Sequence, residues 1–126
     1  MDASDFAITG GLVDPRLKKA LQFKRLDHYI FTHDLNYRNQ MTILRNAMVT
    51  GIVSWTEGME MKVQAMTDAY VRIEFLSKKT AEKSLWAEWK EFGKMKDEID
   101  EIFRKRERKW NKLEHKIGFG KAKAEH

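Results

Sequence analysis

Between Leu85 and Ile117, side chains on one helical stripe return at alternating intervals of four and three residues. Leu85, Trp89, Phe92, Ile99, Phe103, Trp110, Leu113 and Ile117 hold eight of the ten places, and Lys96 and Arg106 hold the other two. That spacing gathers all ten on one side of an α-helix and on no single face of a strand. It is the heptad pattern of coiled-coil helices. Thr80 followed by Ala81-Glu82 is a fair helix start, and Gly118 and Gly120 stand where a left-handed residue ends a helix. Asp100 with Arg104, and Glu101 with Lys105, are acid-first pairs that support the outer face. The spacing predicts a helix over 80–117, about 57 Å long.

The stretch before it has a different period. Met41, Leu44 and Met48 recur as Ile52, Trp55 and Met59, and again as Val63, Met66 and Tyr70. A repeat of eleven residues in three turns, ~3.67 per turn, keeps a stripe nearly straight. It predicts one helix over 41–76, about 54 Å long. Ala47, Gly51, Ser54 and Gly58 form a line of small residues beside the stripe, where another backbone can approach closely. A rival pattern shares these residues. Met59–Ala65 and Val71–Phe75 alternate apolar and polar, and Thr56-Glu57-Gly58 could turn a hairpin. That reading gives an α+β fold with a three-stranded meander at 48–76. Helix-forming Met, Glu, Lys, Gln and Ala, with the triple repeat, favour the helix.

Residues 1–13 read as an irregular lead-in. Asp14-Pro15 is a helix start, since Asp accepts from orphan N–H groups and Pro at the first position lacks nothing it needs. Leu17, Leu21, Phe23, Leu26 and Ile30 make a short amphipathic helix, and the polar interval after Thr32 makes a joint capped by Asp34. The expected fold is therefore all-α: a short N-terminal helix, then two long helices in an extended antiparallel hairpin with a coiled-coil-like C-terminal helix. It forms a single helical domain over 14–117 with a flexible basic tail at 118–126. Trp86, Val49, Val53, Val71 and Phe75 lie off the main stripes and would stay partly open. The two stripes differ in period and drift apart if they meet only each other, so part of at least one is expected to face a partner chain.

Composition narrows the function classes. Apolar residues are 42% of the 126 and charged residues 34%, too apolar for a disordered tail and too charged for a membrane protein. With no cysteine there is no disulfide framework, thiolate metal site or cysteine nucleophile. No apolar run approaches the ~20 residues of a membrane helix. Met1-Asp2-Ala3-Ser4-Asp5 lacks the build of a signal or transit peptide, so an intracellular setting is expected, in no particular compartment. The net charge of +5 is local. From Arg104 onward there are nine basic and three acidic residues, whereas the rest holds fifteen basic and sixteen acidic.

Little points to catalysis. His28, His33, His115 and His126 have no helical-spaced second ligand, and phosphate-loop, dinucleotide and Gly-x-Ser-x-Gly motifs are missing. No cofactor, metal or enzymatic activity is expected. Five of the seven methionines fall between Met41 and Met66, where they either fill core gaps or form an adaptable binding face. The expected role is a structural or adaptor subunit of a hetero-complex or homo-oligomer, binding partner chains through apolar stripes. Its candidate contacts are Met48, Trp55, Met59, Met66, Trp86, Trp89, Phe92, Phe103 and Trp110. The alternative is an RNA- or DNA-binding module. On that reading Arg104, Lys105, Arg108, Lys109 and Lys112 meet nucleic acid or another anionic surface.

Overall fold

The computed structural model describes residues 14–74 and 76–119. Its first helix, α1 (Pro15–Ala20), begins where Asp14 accepts from the Arg16 amide at 2.9 Å, with Pro15 in the first turn. After a short turn comes α2 (Lys24–His33). One extended residue, Asp34, separates it from α3 (Leu35–Val49) and caps α3 by accepting from the Tyr37 amide at 3.0 Å. The same carboxylate accepts from Arg72 Nε at 3.1 Å, tying the start of α3 to the end of the following helix, α4 (Trp55–Arg72).

The expected helix over 41–76 is two helices, α3 and α4, folded back on each other. Gly51 supplies the stop with a left-handed φ of 78°. Its amide donates to Met48 O and the Ile52 amide to Ala47 O at 2.8 Å, the paired bonds of a Schellman ending. Three residues later the chain restarts through a capping box. Glu57 N donates to Ser54 Oγ at 3.1 Å, and Ser54 N donates to the Glu57 carboxylate at 3.0 Å. Stop and start lie only three residues apart, so the helices form a tight antiparallel pair, the most extensive helix contact in the fold. Gly58 lets them close: an added Cβ would collide with the Met48 thioether.

The C-terminal stripe is also divided, into α5 (Lys83–Lys105) and α6 (Glu107–Ile117), which meet at a bend on Arg106. On a straight helix, residues seven apart are separated by about 10 Å along the axis. The rings of Phe103 and Trp110, either side of the bend, approach to 5.2 Å. The final turn ends on Gly118, φ 75°, with Phe119 N donating to Glu114 O at 2.9 Å and its ring buried. Phe119 thus packs against the folded body. Residues 120–126 lie outside the described residues, as do the lead-in at 1–13 and Phe75.

The fold is all-α, a packed bundle of six helices among the described residues, with no strand over the described part of 48–76. Its core takes the heptad stripe inward against the chain's own helices. Phe92 meets Phe23 of the α1–α2 turn edge-on at 5.9 Å, and Trp89 meets Tyr29 of α2 at 6.5 Å. Tyr70 of α4 packs on both Trp89 and Phe92, at 4.3 and 5.2 Å. The two polar places on the stripe have partners: Lys96 pairs with Asp100 at 2.8 Å, and Arg106 pairs with Glu60 of α4. Of the off-stripe residues, Val49 and Val71 are exposed and Trp86 is half-buried. Val53, expected to stay open, is buried because the turn after Gly51 aims it inward.

Candidate functional site

Three helices each turn one face toward a shared groove. From α2 come Lys24, His28 and Phe31, from α3 Met41, Leu44, Arg45, Met48 and Val49, and from α4 Trp55, Met59 and Lys62. On each helix these fall at intervals of three and four, so each contributes about two turns. The groove encloses about 610 Å³. Leu44 is buried and the three methionines are half-buried, which makes the floor apolar and adaptable. The lip is apolar too, with Val49 79% exposed, Trp55 51% and Phe31 41%.

Charge sits around this apolar surface. Lys62 pairs with Asp27 of α2 at 2.9 Å, and Asp27 also accepts from the hydroxyl of buried Tyr37. Burial, with the Asp27 carboxylate beside it, pushes the Tyr37 phenol far above its ordinary range. It therefore stays a neutral donor that locks α2 onto α3. Lys24, His28 and Arg45 are exposed, and no salt bridge to another described residue engages them.

The candidate contact residues divide sharply. Met48, Trp55 and Met59 meet in the groove. Met66, Trp89, Phe92, Phe103 and Trp110 are buried in the chain's own core, and Trp86 is half-buried against it. Sequence spacing did not single out Phe31, His28, Arg45 or Lys62 for this site. Their signal was there, as one face of each helix at i, i+4 and i+7, but only the packing of α2 beside α3 and α4 brings the three faces together.

The basic candidates are all on the surface. Arg104, Lys105, Arg108, Lys109 and Lys112 are exposed along the end of α5 and the outer side of α6. Lys109 and Lys116 lie close enough to the start of α4 to help hold the Glu57 carboxyl below its usual range, after the larger effect of the Ser54 amide. Trp110, on the same helix, is buried beside Phe103.

Among the described histidines, His33 is bonded at 2.9 Å to Tyr29 O and stacked on its ring at 4.1 Å. Among the described residues no three His, Asp or Glu side chains gather into a metal-ligating group, and no helix is long and apolar enough to cross a membrane. Compared with protein-family models, curated proteins and solved structures, the chain matches none.

Proposed function

We propose that the protein is a non-enzymatic adaptor or structural subunit that docks a partner chain in the groove between α2, α3 and α4. The observation that carries this reading is the lip of Phe31, Val49 and Trp55, three large apolar side chains left in water around a methionine floor. An apolar surface of this kind, rimmed by charge, is the usual mark of a protein interface. The heptad stripe is engaged within the chain, so assembly runs through the groove and not through a coiled-coil seam.

The test is to crosslink the tagged protein in the cells that make it, as wild type and as Val49→Asp. Partner crosslinks near the groove that disappear in a folded Val49→Asp support the reading. Unchanged crosslinks, or a strictly monomeric protein in cells, overturn it. The exposed cations of α5 and α6 favour a second reading, nucleic-acid binding at that end. Salt-sensitive RNA or DNA binding that is abolished by Arg108→Gln with Lys112→Gln would support that role.

A further inference from the structure

We infer that the groove receives an acidic amphipathic helix, presenting about two turns of apolar side chains flanked by Asp or Glu. The inference rests on the docking reading above and names the chemistry of its partner. Length is the first argument. The lining residues span i to i+7 on α2 and on α4, Lys24 to Phe31 and Trp55 to Lys62, about 10 Å of helix axis. Anchors at i, i+3 or i+4, and i+7 on an incoming helix match that span. A small molecule sunk in the groove would leave the Val49, Trp55 and Phe31 lip in water, whereas a helix lying along it covers both floor and lip.

Charge is the second argument and selects the partner's sign. Lys24 opens the α2 face and Arg45 lies midway along the α3 face, both exposed and without a described carboxylate partner. The one groove carboxylate, Asp27, is already engaged by Lys62 and Tyr37. An incoming acidic flank meets positive potential at both places, and a basic flank is repelled. Pairing with a second copy through the same face would bring two positively charged grooves together, the Asp27 carboxylate of each already engaged, which disfavours a self-complementary dimer.

The test uses two labelled synthetic helical peptides in fluorescence anisotropy. Both carry Leu at i, i+4 and i+7; one has Glu at the flanking positions and the other Lys. The full chain is expected to bind the Glu peptide saturably and about tenfold more tightly than the Lys peptide at low salt, with the difference shrinking as salt is added. Val49→Asp abolishes binding, and Lys24→Gln with Arg45→Gln removes most of the preference while apolar binding persists. Equal binding of the two peptides overturns the acidic partner and leaves the docking groove standing. Binding that survives Val49→Asp but is lost on Arg108→Gln with Lys112→Gln moves the contact to the other basic face and overturns the inference. So does self-association of the chain that Val49→Asp abolishes, or no saturable binding of either peptide.

Discussion

Arg106, at the bend between α5 and α6, donates its guanidinium to the carboxylate of Glu60 in the second turn of α4. The Glu60 side chain is only 9% exposed, whereas Arg106 keeps 31%. The pair joins the place where the C-terminal stripe changes direction to the helix that stripe covers. Removing the cation leaves a buried carboxylate without its partner, which costs more than the pair itself contributes. Arg106→Gln is expected to lower unfolding stability by about 2 kcal/mol, less than for a fully buried pair because Arg106 is partly hydrated. The double variant with Glu60→Gln should recover much of the loss. Urea unfolding of the two single variants and the double variant measures the coupling, and simple additivity would contradict it.

Gly51 offers a test with no contact to lose. Nothing lies within 4 Å of a Cβ placed on it, yet its φ of 78° is one that L side chains rarely adopt. Gly51→Ala should therefore cost about 1 kcal/mol through backbone strain alone. Gly51→Asn, which tolerates that conformation better, should cost less. Thermal unfolding of the two variants gives the order; an Ala variant as stable as wild type would show that the α3 ending does not need the left-handed residue.

The capping box at the start of α4 links stability to pH. Glu57 holds its carboxyl below the ordinary range, chiefly through the Ser54 amide, so the unfolded chain binds a proton more readily than the folded one. Its contribution is complete above the ordinary carboxylate range and fades as the pH falls through the lowered folded value. Ser54→Ala should cost about 1 kcal/mol at neutral pH. Glu57→Gln should flatten part of the acid limb of the stability curve, read by denaturant unfolding from neutral to acid. An unchanged acid limb would contradict the assignment.

Exposed and buried apolar residues should part company under mutation. Val49→Asp sits on the surface and should leave stability within about 0.5 kcal/mol. Trp89→Ala removes a ring held between Tyr29 and Tyr70 and should cost about 3–5 kcal/mol. The first variant is expected to lose partner binding while folded, and the second to unfold. Circular dichroism melts beside a binding assay separate the two behaviours.

These contrasts mark what could be read before any coordinates. The Leu85-to-Ile117 stripe was legible because its spacing follows from the helical period alone, and its ten places are all buried or half-buried, although the bend at Arg106 divides it between two helices. The Asp14, Asp34 and Gly118 endings were legible for the same reason, each depending only on neighbours in the chain. The break at Gly51 was written just as locally, in Thr50-Gly51 and in Ser54-x-x-Glu57. The eleven-residue apolar period ran through it unbroken, because Ile52 and Trp55 keep the spacing while standing in a turn and at a helix start. A repeat counts residues and is blind to whether the hydrogen-bond ladder beneath it continues.

What covers a stripe is a different kind of question. The sequence by itself determined an all-α chain, the helix ends at Asp14, Asp34 and Gly118, and a basic C-terminal side, since each follows from spacings of a few residues. Only the tertiary structure decided that Trp89, Phe92, Phe103 and Trp110 are buried within the chain, and that Trp55, Val49 and Phe31 are left around a groove. The reason is geometric. A turn-back at Gly51 and a bend at Arg106 shorten the helices enough for them to cover one another, and no local spacing says which apolar face meets which.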